Sequence, residues 1–264
     1  MRRIPVTIAA AGFAVAAVAG CGSSGGPGSP ASSGPAASAK LSGSMTVFAA
    51  ASLQGAFTTI GQQFQAAHPG VKVTFSFGPS SGLAQQIISG APADVFASAS
   101  PKNMQQVVSA GDAASPATFA SNVMEVATPP GNPGHVSSVA DLAKKPVKVA
   151  LCQPQVPCGA VAAQVFSNAK ITVRPVTLQP DVKSVLTQVE LGNVDAGMVY
   201  VTDVKAAGTK VRGVVIPAAE NASTAYPIAP VSKSSNLAVA RAFEAYVLSP
   251  AGQSVLAAAG FQKP

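Results

Sequence analysis

The sequence has few of the residues on which most catalytic and metal-binding chemistry depends. It contains no tryptophan, two histidines, three cysteines and ten acidic residues among 264. This supply is too small to predict a His/Cys metal site, and no acidic pair of the glycosidase kind is evident. His68 and His135 both lie in turns beside proline or glycine, and the zinc-protease and Walker-lysine motifs are missing. We therefore expect a protein that is not an enzyme and needs no cofactor.

The charge is also unlike that of a nucleic-acid-binding protein. The formal net charge is +7, but two of the cations, Arg2 and Arg3, belong to the extreme N-terminus. The other lysines and arginines are scattered, and no cluster combines basic with aromatic residues. Nucleic-acid recognition usually needs such a concentrated basic surface. We expect no nucleic-acid partner.

The N-terminus is typical of an exported protein. Arg2 and Arg3 precede an apolar run over 4–19, so residues 1–20 are predicted to be a signal peptide. The run is too short to be a comfortable transmembrane helix. Its end, Val-Ala-Gly followed by Cys21, resembles the lipobox of bacterial lipoproteins, in which the cysteine is lipidated and becomes the first mature residue. The alternative is a chance cysteine beside an ordinary signal.

A tether is predicted next. Residues 21–43 consist almost entirely of Gly, Ser, Pro and Ala after the cysteine, a composition that has no apolar face to bury. With Cys21 lipidated, such a tether would hold the body outside the cytoplasm at the cell membrane. Cys152 and Cys158 remain in the body, and two nearby cysteines in an oxidising compartment usually form a disulfide. Free thiols and a metal site are the alternatives.

The body alternates between strand and helix patterns. This order predicts the α/β class, with two mixed, mostly parallel sheets flanked by helices and a ligand cleft between them. Strands are predicted at 45–50, 71–77, 94–98, 147–151, 196–200, 210–216 and 226–231, and helices at 53–64, 83–88, 159–169, 181–191 and 237–248, with another from Pro101. Ser52 is predicted to be the N-cap of the first helix.

Several predicted helices begin directly after strands and carry neutral hydrogen-bond donors. The residues at these positions are Ser52, Ser80, Ser81, Cys158, Val182 and, at a strand end, Tyr200. Free N–H groups and the positive end of the helix dipole favour an anion without any cationic side chain. Ligands of α/β proteins also tend to lie beyond the carboxyl ends of strands. The alternative is that each serine only caps its helix.

Three segments of the first half resemble one known family. They are Thr-Val-Phe-Ala-Ala-Ala-Ser-Leu at 46–53, Phe-Gly-Pro-Ser-Ser-Gly-Leu-Ala-Gln-Gln-Ile at 77–87 and Gly-Ala-Pro-Ala-Asp-Val-Phe-Ala-Ser at 90–98. Together they look like the periplasmic molybdate-binding proteins of ABC transporters. Weaker matches follow in family order at 156–159, 180–183, 196–200 and 226–228, so the resemblance runs from Met45 to the C-terminus.

The resemblance implies a set of ligand contacts. In that family two serine hydroxyls, a tyrosine hydroxyl and backbone amides hold the oxyanion. By position these are the hydroxyls of Ser52, Ser80 and Tyr200, and the amides of Ser52, Ser80, Cys158 and Val182. Pro79 replaces a small residue of the family pattern, which leaves open whether Ser80 or Ser81 faces the ligand. Cys158 stands where alanine is frequent, but that contact uses the backbone.

The resemblance also implies an architecture and a function. We expect the two lobes of a type II periplasmic binding protein, with 44–123 plus 226–264 in the first and 124–225 in the second. The expected function is the capture of molybdate or tungstate by a monomer, for delivery to the membrane permease of an ABC transporter. The sequence leaves the preferred ion open. A sulfate-, phosphate- or thiosulfate-binding relative, an exported α/β hydrolase and a sensor or adhesion lipoprotein are the alternatives.

Overall fold

The structure is a computed structural model, and it describes residues 40–264. The predictions for the signal peptide, for Cys21 and for most of the tether lie outside the described residues. The described part of the chain contains no helix that is long and apolar enough to cross a membrane.

Strands and helices alternate along most of the described residues, as the apolar pattern predicts. The strands are β1 (Ser42–Ala50), β2 (Gly70–Gly78), β3 (Val95–Ala97), β4 (Ala117–Thr128), β5 (Val149–Cys152), β6 (Thr177–Gln179), β7 (Ala196–Tyr200), β8 (Arg212–Val215) and β9 (Ser223–Pro230). The helices are α1 (Gln54–Ala67), α2 (Ser80–Ile88), α3 (Pro101–Ser109), α4 (Pro157–Asn168), α5 (Val182–Glu190), α6 (Val201–Ala207), α7 (Leu237–Leu248) and α8 (Pro250–Ala259). Short 3-10 turns lie at Ala51–Leu53, Val139–Ala143 and Gly208–Lys210.

The strands form a mixed sheet in the order β2-β1-β3-β9-β4-β7-β5-β6, with β8 paired to β4. At one end β1 pairs in parallel with β2 and β3, and at the other β5 pairs in parallel with β6 and β7. The pairings that involve β4 or β9 are antiparallel. Residues 117–123 of β4 pair with β9, whereas residues 124–128 pair with β7 and β8. This strand therefore joins two groups of parallel strands, and the α/β class is confirmed.

The apolar residues form separate cores on the two sides of this junction. The first lobe, as we name it, contains aromatic residues of α1 and α7, with the Phe243 ring in edge contact with those of Phe57 and Phe64. A smaller cluster around Phe96 and Met104 covers the other face of its strands. The second lobe has an aliphatic core drawn from β4 to β8 and the helices between them. The two-lobed architecture is confirmed.

Local sequence signals explain some helix starts and fail at one. Pro101 is the first residue of α3, and the Ser100 side chain accepts the Asn103 N–H as an N-cap. The predicted N-cap at Ser52 is wrong. Ser52 lies inside the 3-10 turn, and Leu53 precedes α1 without a side-chain cap. The Ser52 hydroxyl instead bonds to Tyr226, so it belongs to a tertiary contact rather than to the helix start.

Candidate functional site

One cavity collects the five residues that the sequence analysis selected as ligand contacts. Its lining includes Ser52, Ser80, Cys158, Val182 and Tyr200. The rest of the lining consists of Ala50, Ala51, Gly78, Pro79, Ala99, Val156, Pro157 and Asp181. The space between its lining atoms, with the open mouth included, is about 230 Å³. A space of this size suits a small ion better than a sugar or a peptide.

Three helix N-termini lie at this cavity. Helix α2 begins at Ser80, α5 begins at Val182, and Cys158 is the second residue of α4. None of these three backbone N–H groups has a hydrogen-bond acceptor among the described residues. The first N–H groups of a helix have no partner within it, and the helix dipole places partial positive charge there. Because the lining contains no lysine or arginine, the positive potential at this point comes from the backbone.

Ser80 is the serine of its turn that faces the cavity. It is fully buried, and its Oγ accepts a hydrogen bond of 2.9 Å from the Ala99 N–H. Ser81 is only half-buried and lines a separate cleft beside Gln85. Neither serine caps α2, because Pro79 occupies the N-cap position and no side-chain cap is made. The hydroxyl of Ser80 is therefore available for a ligand.

Tyr200 lies at the end of β7, with its hydroxyl buried near that of Tyr226 but without a hydrogen bond of full geometry among the described residues. Burial raises the pKa of this phenol well above its ordinary value of 10, and the neighbouring Tyr226 and Asp203 raise it further. The hydroxyl consequently keeps its proton at any physiological pH. A buried phenol in this state can donate a hydrogen bond to an anion that enters the cavity.

An ion pair between a half-buried lysine and a buried aspartate supports the two segments of the second lobe that reach the cavity. The Lys183 Nζ lies 2.8 Å from the Oδ1 of Asp203, and the Tyr200 N–H donates to the Oδ2 of Asp203 over 3.1 Å. Complete burial raises the pKa of Asp203, while the Lys183 ammonium opposes this shift. Since Lys183 follows Val182, the pair ties the start of α5 to the end of β7.

The turn before α4 is held by covalent and steric constraints. The Sγ atoms of Cys152 and Cys158 are at bonding distance, and their Cα atoms are 5.8 Å apart, within the usual disulfide range. A Cβ atom added to Gly159 would overlap the Gln153 carbonyl oxygen, so the helix start packs tightly against this turn. Both features restrict the orientation of the Cys158 amide.

The one carboxylate of the lining has an internal role. The Asp181 side chain accepts the Ser184 N–H over 2.9 Å and so acts as the N-cap of α5. This contact engages one of its carboxylate oxygens within the helix start. One of the two Asp181 oxygens that would repel an anion is therefore already engaged in a hydrogen bond.

Residues 78–82, Gly-Pro-Ser-Ser-Gly, match the spacing of a hydrolase nucleophile elbow between a strand and a helix. Such a serine needs a histidine as its base. The Ser80 Oγ accepts a backbone N–H instead, and neither His68 nor His135 lines the cavity. Within residues 40–264, no group of three His, Cys, Asp or Glu side chains is arranged to hold a metal. The site is built from hydrogen-bond donors.

Two contacts behind the cavity were not predicted from the sequence. They are the Ala99 N–H on the Ser80 Oγ and the bond of 2.9 Å between Ser52 Oγ and Tyr226 OH. The first donor, the Ala99 N–H, is a backbone group, and the residue type gives no sign that it forms this bond. Tyr226 lies in a strand that was predicted, but 174 residues from Ser52 along the chain.

Comparison with known proteins assigns the chain to a family. The sequence profile of the bacterial extracellular solute-binding proteins matches residues 45–262. The chain belongs to this family. It is 44% identical over 251 residues to the molybdate-binding protein ModA of Mycobacterium tuberculosis, covering 95% of this chain and 94% of that one. It is 31% identical to a putative ABC transporter substrate-binding lipoprotein of Bacillus subtilis, covering 82% of this chain and 85% of the relative.

Solved structures show the same fold for this solute-binding protein. The periplasmic molybdate-binding protein of Azotobacter vinelandii superposes with a TM-score of 0.75, covering 83% of this chain and 99% of that one. The sequence identity is 24%, so this likeness supports the fold alone.

Proposed function

We propose that this solute-binding protein captures molybdate or tungstate and delivers the ion to an ABC transporter. The observation that carries the proposal is the meeting of three hydroxyls and several helix N-termini in one small cavity without a cationic side chain. Such a set of neutral donors suits a fully deprotonated oxyanion. The 44% identical relative that is named a molybdate-binding protein supports this choice of ion.

Hydrogen bonding to a charged ligand would supply the affinity. Each hydrogen bond to a charged group contributes about 1.5–3 kcal/mol net, and the three hydroxyls and four amides offer up to seven. Simple addition overestimates the affinity, because desolvating a dianion and ordering the protein both cost free energy. Sulfate carries the same charge as molybdate, so the donors cannot separate these ions by charge. We propose that the size of the cavity separates them.

We further propose that the ion lies between two lobes that close on it. The lobes are residues 44–123 plus 226–264 and residues 124–225. Ser52 and Ser80 would then contact the ion from the first lobe, and Cys158, Val182 and Tyr200 from the second. A ligand stabilises a closed state only by binding it better than the open one, as an ion touching both lobes does.

The N-terminus is the part of the chain that would attach the protein to the membrane. We propose that Cys21 is lipidated and anchors the protein to the cell membrane, with its body outside the cytoplasm and beside the permease partner. We also propose that the protein is a monomer. The lipobox-like end of the signal supports the lipid anchor, as does the Bacillus subtilis relative that is named a lipoprotein. A membrane anchor would keep the loaded protein close to the transporter.

Isothermal titration of the purified protein tests the choice of ion. Molybdate and tungstate are expected to bind with comparable affinity, and sulfate and phosphate far more weakly. Saturating molybdate should also raise the melting temperature, because a ligand that binds only the folded state stabilises it. Binding of sulfate or phosphate as tight as that of molybdate would contradict the proposal and favour a general oxyanion carrier.

A further inference from the structure

Two residues of β9 lie directly behind the serines of the first lobe. Thr224 and Tyr226 are separated by one residue, so their side chains point to the same face of the strand. Both are buried, and neither lines the cavity. Their hydroxyl groups nevertheless lead by short hydrogen bonds to Ser52 and Ser80.

Tyr226 reaches Ser52 directly. The two hydroxyl oxygens are 2.9 Å apart, and geometry alone allows either to be the donor. Burial raises the pKa of the Tyr226 phenol, so it keeps its proton. The Asn122 side chain and the Tyr200 hydroxyl also lie near this hydroxyl and oppose the rise of its pKa, but the contact with the Ser52 Oγ is the one of 2.9 Å. A phenol is also a stronger acid than an alcohol, so donation from Tyr226 to Ser52 is the favoured direction.

Thr224 reaches Ser80 through one intervening residue. Its Oγ1 donates to the Ala99 carbonyl oxygen over 2.8 Å, and the Ala99 N–H donates to the Ser80 Oγ over 2.9 Å. Both contacts are buried. The Thr224 hydroxyl therefore helps to fix the segment whose amide orients Ser80.

We infer that Tyr226 and Thr224 are positioning residues for the anion site. Each serine hydroxyl has one proton and two lone pairs. Tyr226 donates to one lone pair of the Ser52 Oγ, and the Ala99 N–H donates to one lone pair of the Ser80 Oγ. The proton of each serine is then left to point into the cavity. Strand β9 thus presets both hydroxyls as donors before an anion arrives. This inference rests on the proposed function, because it assigns the strand a role in holding that same ion.

The expected effect is smaller than that of removing a ligand contact itself. A hydrogen bond between neutral groups contributes about 0.5–1.5 kcal/mol net, which corresponds to about a two- to tenfold change in affinity. Tyr226→Phe and Thr224→Val should each weaken molybdate binding by about this factor. The matched controls are Tyr246→Phe, which removes a hydroxyl bonded to Gln63 at the surface, and Thr58→Val, which removes one bonded to the Gln54 carbonyl. Both controls should bind as the parent does.

Double variants separate positioning from a general loss of stability. If Tyr226 acts through Ser52, Tyr226→Phe should cost little further affinity in a Ser52→Ala background. The same coupling is expected between Thr224→Val and Ser80→Ala, and the crossed pair of Tyr226→Phe with Ser80→Ala should be additive. A purely structural effect would lower the affinity equally in every background. Calorimetric titration and melting of the unliganded full-length proteins supply both readouts.

The results of these titrations separate a failure of the role of β9 from a failure of the proposed function. Parent-like binding by a folded Tyr226→Phe variant would overturn the role of Tyr226, as would full additivity with Ser52→Ala. If Tyr226→Phe does not fold, the coupling of Thr224→Val with Ser80→Ala decides whether β9 positions the site. If the parent itself bound neither molybdate nor tungstate, the proposed function would fail, and this inference with it.

Discussion

The Tyr200→Phe substitution should separate affinity from stability. The Tyr200 hydroxyl is almost fully buried and has no hydrogen bond of full geometry among the described residues. If it donates to the bound anion, its removal takes away one charge-assisted hydrogen bond, worth about 1.5–3 kcal/mol or roughly ten- to a hundredfold in affinity. The ring remains, so the shape of the cavity should change little.

The same change should not weaken the unliganded fold. A buried polar group without a partner carries a desolvation cost of about 1–3 kcal/mol, and phenylalanine removes that group. The melting temperature of the unliganded protein is therefore expected to stay level or rise, while calorimetric titration with molybdate shows the loss of affinity. Tyr246→Phe is the control, since it removes a tyrosine hydroxyl outside the cavity.

The pKa of Tyr200 adds a dependence on pH. Because burial raises this pKa above 10, the donor form persists through neutral and mildly alkaline solution. Binding by the parent should therefore be flat between about pH 6 and 9. Parent-like affinity of the Tyr200→Phe variant would refute the role of the hydroxyl. So would a loss of affinity matched by an equal loss of unliganded stability.

Other expectations follow from the same geometry and from the N-terminus. Ser80→Ala should weaken molybdate binding by about ten- to a hundredfold in titration, whereas Ser81→Ala should stay near the parent, and the reverse order would move the contact to Ser81. Cys21→Ser should shift the protein from the membrane to the soluble fraction without changing its affinity, and continued membrane partition would reject the lipid anchor. Non-reducing peptide mapping should show Cys152 joined to Cys158, with a stabilisation of at most about 3 kcal/mol, and complete thiol labelling of the native protein would disprove the bond.

The sequence predicted most strands because their apolar pattern is strong, but it missed the short strand β6 and the strand that joins the lobes. Strand β4 (Ala117–Thr128) contains Asn122 and Glu125, which interrupt the apolar pattern. The Asn122 side chain is nevertheless buried, because it donates to Thr202 in α6 over 2.8 Å. Its partner lies 80 residues away along the chain, so periodicity could not indicate that this polar residue belongs in a strand.

Two helices were also absent from the sequence prediction, for different reasons. Helix α6 (Val201–Ala207) follows β7 without a turn, and so the apolar run gives no sign of the change. Helix α8 (Pro250–Ala259) did carry a signal. Ser249 caps it and Pro250 is its first residue, and a proline at the same place, Pro101, correctly predicted the start of α3.

The candidate site was easier to predict than the contacts that support it. Its members sit at junctions between strands and helices, and the family resemblance implied each of them by its position in the sequence. The supporting contacts depend on how distant segments pack. Neither the bond between Ser52 and Tyr226 nor the ion pair between Lys183 and Asp203 can be derived from local pattern.

Anomalous diffraction from crystals grown with tungstate would show where the ion binds. We expect one strong tungsten peak in the cavity, with ligand oxygens about 2.7–3.2 Å from the hydroxyls of Ser52, Ser80 and Tyr200 and from the amides of Cys158 and Val182. No lysine or arginine side chain should contact the ion. A peak outside this cavity, or an ion held by lysine or arginine side chains, would rule out the proposed site.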